Sequence, residues 1–506
     1  MIFHTLYSDK NKSITESPEI IPTIIITVSA FWFFLLVIIA FAGLIPLGYW
    51  ADEFATLANI RDGGWNFFFD RLTTWSPRPI SELMIFAYGR VVERLQKPLI
   101  AQSLGAMWLM LAFSMVAIPI VARRSFPSAT SFCQCLLLSL GLYCLMLVGH
   151  PVAEMFYWPI GSFPYMSAIS GAAGALWIFA VTGVESRTTR AACAAMLIFT
   201  ALSAEVGAIF VAVFCLLAGF SAGWDWLRRS PQDAETRSLL WLALPFAASV
   251  GVLIALATNN RTGASSEMFG DAAVAHHILK VLQPSLSTFL AEAISIDGAT
   301  LKWQNILWGA VTKGLFFIAA LGVLRPILSH RPLRGDSRLF GLFGAACIAS
   351  TLVIIAATYY QCGQSCFERL VTFRQCLFFI GLTGIAGFFA GVNAPAATAP
   401  SRTYAPSLYV LCLILSVLIP TWRTVPKLGQ DYASYAASLK AQKASWKAGL
   451  AAGDDAIYRQ RRPGKIVGGV WIGDGVYSLN DDSKWAVIHW IIGYFHKKSI
   501  TFVTDQ

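Results

Sequence analysis

Apolar runs long enough to cross a bilayer recur from about residue 21 to residue 421, separated by short polar stretches. A helix rises about 1.5 Å per residue, so about 20 apolar residues cross a hydrocarbon core about 30 Å thick. On that measure the pattern predicts about eleven spans, near 21–48, 99–122, 130–149, 165–184, 191–204, 206–223, 238–258, 303–324, 339–358, 371–392 and 404–421. The stretch 191–223 reads either as one long tilted helix or as two short ones turning at "SAEVG". Two is the better reading, because Arg228 and Arg229 then lie on the same side as the other cationic loops.

Between the spans the periodicity changes. "PISELMIFAYGRVVERLQ" (79–96) has apolar residues at helical spacing with charges between them, the mark of an amphipathic helix lying along the membrane surface. "VAHHILKVLQPSLSTFLAEAI", in 259–302, predicts one or two similar helices. After Pro420 the chain turns polar. There "DYASYAASLKAQKASWKAGLAAGDDA" predicts a helix, "KIVGGVWI" (465–472) a strand, "NDDSKWAVIHWIIGYF" a helix and "SITFV" a second strand. The fold class expected is a mainly α, polytopic membrane protein, with a membrane domain over 1–421 and a small external α/β domain over 422–506.

Composition agrees with this pattern. Hydrophobic residues make up 56% of the 506 and charged ones 13%, where a soluble domain is nearer one-quarter charged. The net charge of +10 is no nucleic-acid footprint. Its cations recur in alternate loops (Lys10 and Lys12, Arg123 and Arg124, Arg187 and Arg190, Arg325 to Arg338, Arg402), the positive-inside pattern. That places these loops in the cytoplasm and leaves 49–98, 150–164, the turn at Glu205, 259–302, 359–370 and the tail outside. "AFA" at Ala40–Ala42 resembles a signal-peptide cleavage site, but the preceding apolar run exceeds the usual signal core and reads as an uncleaved anchor. Most of the ten cysteines lie in or at the ends of spans and read as packing residues. Cys362 and Cys366 fall in an outside loop, where an oxidising compartment would allow a disulfide.

The candidate chemistry lies on the outside. Asp52 and Glu53 adjoin just after the first span, and carboxylates near hydrocarbon tend to be functional or paired. A carboxylate there suits a general base or a divalent metal ligand, or simply the cap and first turn of a helix. Arg78 stands between two prolines that hold its backbone extended, and a guanidinium suits bidentate phosphate binding as well as lipid head groups. Glu154 lies among Tyr157, Trp158, Phe163 and Tyr165, which suits an interface belt or a sugar site. Glu205 sits at a turn at membrane depth. Lys313 lies in mid-span, where it would pair with an acid or a lipid phosphate. Arg261, Arg369 and Arg374 add outside-facing cations. No Walker loop, dinucleotide fingerprint, nucleophile elbow or HExxH zinc motif occurs.

In order along the chain, "YWADEFATL", "WSPRPIS", "AEMFYWPIGSFPY", "LSAEVG" and "CGQSCFERLVT" resemble elements of GT-C glycosyltransferases. These integral-membrane enzymes take a sugar from a polyprenyl-phosphate donor. The bacterial branch it is similar to includes O-antigen glucosyltransferases of the serotype-converting type, and "LNDDSKWAVIHWIIGYF" is similar to the tail of related bacterial branches.

The resemblance implies a multi-pass protein of the bacterial inner membrane with its site facing the periplasm. It implies Asp52 as general base and Glu53 as supporting or metal-contacting acid. Arg78, Arg261 and Arg369 would hold the donor phosphate, and Glu154, Tyr157, Trp158 and Glu205 the sugars. Metal dependence is left open, with Asp52 and Glu53 the ligands if there is one. A flippase for a lipid-linked sugar and a glycan polymerase or ligase are the alternatives. The partners expected are membrane lipids, the polyprenyl-phosphate sugar and a glycan acceptor, O-antigen or other lipopolysaccharide first, and no nucleic acid.

Overall fold

A computed structural model describes residues 20–228, 236–259, 278–295, 302–329, 334–363, 367–392, 405–460, 462–479 and 486–504. The protein is a mainly α polytopic membrane protein. Among the described residues nine helices are long and apolar enough to cross a membrane. In chain order the helices are α1 (Ile20–Ala42), α2 (Glu53–Asp70), α3 (Pro79–Leu95), α4 (Ile100–Val121), α5 (Ala129–Leu145), α6 (Ala153–Phe156), α7 (Pro159–Trp177), α8 (Arg187–Ser203) and α9 (Glu205–Arg228). They continue as α10 (Ala243–Thr258), α11 (Ile278–Ile294), α12 (Trp303–Leu328), α13 (Arg334–Cys362), α14 (Glu368–Val392), α15 (Ala405–Ala433), α16 (Tyr435–Leu450) and α17 (Ala486–Tyr494). The nine are α1, α4, α7, α9, α10 and α12 to α15, while α5 is a shorter apolar helix.

Helix α7 is the hub. Every residue from Pro159 to Trp177 is buried, so its all-round apolar sequence is spent on protein neighbours rather than lipid. The stretch that allowed one helix or two holds two: Ala204 is extended (φ −153, ψ 148) and separates α8 from α9. The helices pack closely there, because a Cβ on Gly207 would lie 2.3 Å from the Thr200 carbonyl oxygen.

The first loop folds into α2 and α3, joined by a π-helical turn, Arg71–Trp75. The amphipathic reading of 79–96 holds as α3. Of the 259–302 loop, α11 is the described helix.

The C-terminal region departs from the sequence reading in several ways, among them two strands, at Asp455–Gln460 and Gly475–Ser478, where none was expected. Helix α15 runs past the expected boundary at 421 to Ala433, despite Pro420 and Pro426. "KIVGGVWI" is a loop rather than a strand. Its amides serve a side chain: Lys465, Ile466 and Val467 donate to the Asp431 carboxylate at 2.6, 2.9 and 2.9 Å. Gly468 and Gly469 take positive φ (+72 and +136), which ends any strand there.

The strands are β1 (Asp455–Gln460), β2 (Gly475–Ser478) and β3 (Ser499–Thr504). β3 is central, parallel to β1 and antiparallel to β2. This layer packs on the first loop through aromatic rings. Trp446 of α16 stacks on Trp50 at 5.2 Å, and Phe54 meets Tyr494 and Phe495, each at 5.5 Å. Trp446 Nε1 donates to the Gln96 carbonyl at 3.1 Å.

Candidate functional site

The N-termini of α2, α3, α6, α9 and α14 meet at one place, and each places an acid in its first turn: Glu53, Glu82, Glu154, Glu205 and Glu368. That follows the helix dipole. Arginines answer the acids. Arg71 donates to Glu82 through Nε (2.7 Å) and Nη2 (3.2 Å), and Arg78 donates to the same carboxylate at 3.2 Å. Arg78 also pairs with Glu205 at 3.7 Å, and the Ser76 hydroxyl donates to Glu205 at 3.2 Å. Burial opposes the charge on Arg78, but Glu205 and Glu82 outweigh it and hold the guanidinium charged. Across the site, Arg369 donates to Glu154 from its backbone amide (3.3 Å) and from Nη1 (3.2 Å). Its guanidinium lies over the rings of Phe367 (4.2 Å) and Trp158 (5.0 Å).

Asp52 stands before α2 in the capping position but makes no capping bond. Its Oδ1 is buried without a hydrogen-bond partner. Burial raises its carboxyl above the ordinary carboxylate range, against the opposing pull of Arg369, Arg71 and Arg78. The simple capping account of this residue therefore fails.

Glu53 is wholly buried. Its Oε2 accepts from the Ala51 amide at 2.6 Å and its Oε1 has no partner. Burial first, and Asp52 second, push its carboxyl up to about 8. The Trp158 indole favours its charged form, although Trp158 Nε1 makes no bond of acceptable distance and angle. The Trp50 Nε1 and the Tyr88 hydroxyl are also buried and unpartnered. Buried polar atoms of Trp50, Asp52, Glu53, Tyr88 and Trp158 thus cluster here. The Trp158 indole faces Glu53 and the Trp50 indole faces Tyr88, which leaves the Asp52 oxygen as the one among them with no side-chain donor against it.

Burial raises the proton affinity of both adjoining carboxyls, Asp52 adds to the rise at Glu53, and the guanidiniums of Arg369, Arg71 and Arg78 oppose the rise at Asp52. No group of three or more His, Cys, Asp or Glu that could hold a metal occurs among the described residues.

The structure thus brings together Asp52, Glu53, Arg78, Glu154, Trp158, Glu205 and Arg369. Tyr157 is elsewhere: its side chain is fully buried and its hydroxyl donates to the Phe41 carbonyl at 2.8 Å. Among the described residues Lys313 forms no salt bridge with an acid. It caps the end of α11 instead, donating to the carbonyls of Glu292 (2.5 Å), Ala293 (3.1 Å) and Ser295 (3.0 Å). Arg374 does not face outward, being 1% exposed and bound to Glu292 through Nε (2.8 Å) and Nη2 (2.5 Å). Arg261 and the Cys362–Cys366 pairing lie outside the described residues.

Sequence reasoning missed Arg71 and Glu82 as the core of the arginine network. The signal was the i, i+4 spacing of Arg78 and Glu82. It also missed Gly468, where a Cβ would come within 2.7 Å of Ala153. That close approach lays the 463–470 loop beside Tyr49 and the short helix carrying Glu154. Comparison with known protein families, curated proteins and solved structures finds no match for this chain.

Proposed function

We propose that this protein is an inverting glycosyltransferase that moves a sugar from a polyprenyl-phosphate donor to a glycan acceptor, with lipopolysaccharide or O-antigen the favoured acceptor. In this reading the bundle has about eleven membrane helices, counting α5 and α8 with the nine. It sits in a bacterial inner membrane with Asp52 on the periplasmic side, and residues 422–506 form a periplasmic α/β domain.

The observation that carries the reading is Asp52 itself: a half-buried carboxylate free of any cap bond, faced by three guanidiniums. Asp52 takes the proton of the acceptor hydroxyl as that oxygen attacks the anomeric carbon. The bond from that carbon to the phosphate oxygen breaks, and the phosphate leaves with the electron pair. Displacement from the opposite face inverts the centre. A base whose proton affinity is raised by burial removes a hydroxyl proton more readily than an exposed carboxylate. Arg369, Arg71 and Arg78 supply positive field for the departing phosphate, and the Trp158 ring beneath Arg369 fixes its plane. Lys313, on which a transporter reading would lean, is committed to carbonyl oxygens.

The test is Asp52→Asn, with mass spectrometry of the host glycan. Loss of a general base lowers transfer about 10²–10⁴-fold. Undiminished decoration at normal protein level refutes the reading.

A further inference from the structure

A cavity outside the acidic site has a volume of about 310 Å³, at the lower end of the range for small-ligand sites, about 300–1,000 Å³. It lies between the first loop and the C-terminal region, with Arg61, Glu93, Gln96, Tyr494 and His496 among its lining residues. Two of these stand out by backbone. Gln96 (φ +50) and His496 (φ +52) are the two non-glycine residues at positive φ among those described. Each follows the end of a helix, α3 or α17, where glycine is the cheap residue. Both keep a side chain there and both line the same cavity; the Gln96 side chain caps α3, its Nε2 donating to the Glu93 carbonyl at 2.7 Å, while the His496 ring is left exposed.

The lining offers donors and acceptors together. Arg61 is held by Asp62 (2.7 Å) and by the Tyr494 carbonyl (2.9 Å). Glu93 is held by Arg90 at 2.8 Å through one oxygen. The His496 imidazole is exposed. Helices α3, α16 and α17 all end at the cavity, and the Lys497 ammonium offsets the negative end of α16 by donating to the Ala451 and Gly453 carbonyls. Glu93 and the helix ends are thus balanced by Arg61 and Lys497, and this balance fits a hydroxyl-rich, uncharged ligand. Arg61 lies eight residues beyond Glu53 on α2, about 12 Å along the helix axis. The cavity is therefore a neighbour of the acidic site and distinct from it.

We propose that this cavity is a remote acceptor subsite, which binds a sugar residue of the glycan while another residue of the same glycan presents its hydroxyl to Asp52. That the bound glycan is the acceptor, and its coupling to Asp52, rest on the glycosyltransferase reading; that the cavity takes a hydroxyl-rich, uncharged ligand rests on the groups around it alone.

The test uses the full chain in detergent and a fluorescent oligosaccharide released by mild acid from the host lipopolysaccharide. The variants are His496→Gly, which suits its positive φ, and Glu93→Gln, which keeps the side-chain shape. Each is expected to weaken oligosaccharide binding about tenfold, the size of one lost hydrogen bond. Each is also expected to raise KM for the acceptor by a similar factor, with kcat and the donor KM unchanged. Unaltered binding and acceptor KM in both variants overturns the subsite, as does failure of the wild type to bind the oligosaccharide. Weakened binding in these variants, together with full transfer by Asp52→Asn, would leave the subsite standing and remove the catalytic reading instead.

Discussion

Replacing Asp431 by alanine removes the carboxylate that organises residues 465–467. Three backbone amides donate to it at 2.6, 2.9 and 2.9 Å, and two of them belong to the buried residues Ile466 and Val467. Hydrogen bonds to a charged group contribute roughly 1.5–3 kcal/mol each, and stranding a buried donor costs a comparable amount. The three share one acceptor and do not add fully, so the loop's closed state should lose roughly 4 kcal/mol. At about 1.4 kcal/mol per decade, that raises the population of the open loop roughly a thousandfold. Tryptic cleavage after Lys465 reads this directly, because cleavage follows the open population when opening and closing are fast. Mass spectrometry of the fragments gives the rate at that bond. If Asp431→Ala is cut there within about threefold of the wild type, the carboxylate is not what holds the loop. Because the loop passes beside Tyr49 and Ala153, the same variant should also lower transfer.

Glu53 makes stability depend on pH. Its carboxyl lies at about 8 in the fold against an ordinary 4.5, so the folded state holds the proton more tightly than the unfolded chain. Its contribution to stability therefore falls as pH rises from about 4.5 to about 8, by about 5 kcal/mol in all at about 1.4 kcal/mol per pH unit. Glu53→Gln should remove that slope, and melting curves that fall in parallel for both proteins across this range would contradict it. Arg78→Lys keeps the charge but loses the fork that serves Glu82 and Glu205. It should cost about 2–3 kcal/mol of stability and most of the transfer activity, and a neutral outcome in both assays would refute the network's role. Lys313→Met removes the donor that joins the Glu292, Ala293 and Ser295 carbonyls at the end of α11, while Gln375 Nε2 still donates to the Glu292 carbonyl at 3.0 Å. A loss of about 1–2 kcal/mol is expected, measured by thermal unfolding in detergent, and no loss would refute the cap.

Much of the architecture was legible in the sequence because burial in lipid demands long apolar runs, and such runs are countable. The break at Ala204 was legible too, since two short helices keep Arg228 and Arg229 on the side of the other cationic loops. The acidic pair, Arg78, Glu154 and Glu205 stood out because charge is expensive near hydrocarbon and is kept only for a purpose. Partner choice was less legible. Arg374 and Arg369 lie five residues apart and look alike in the sequence, yet one is buried against Glu292 and the other faces Glu154. Lys313 gave no sign that its partners would be carbonyls, because backbone oxygens leave no mark in a sequence. "KIVGGVWI" carries strand propensity, and only Asp431, more than thirty residues earlier, turns its amides to another use. What the sequence alone determined about this protein is its class, a mainly α polytopic membrane protein, and the list of costly charges, since both follow from transfer energies of single residues; of about eleven expected spans, nine helices are long and apolar enough among the described residues. The pairing of those charges, the buried polar atoms around Glu53 and the cavity at His496 were decided by the tertiary structure alone. They arise where helix ends distant in the chain meet, and no local energy term records that meeting.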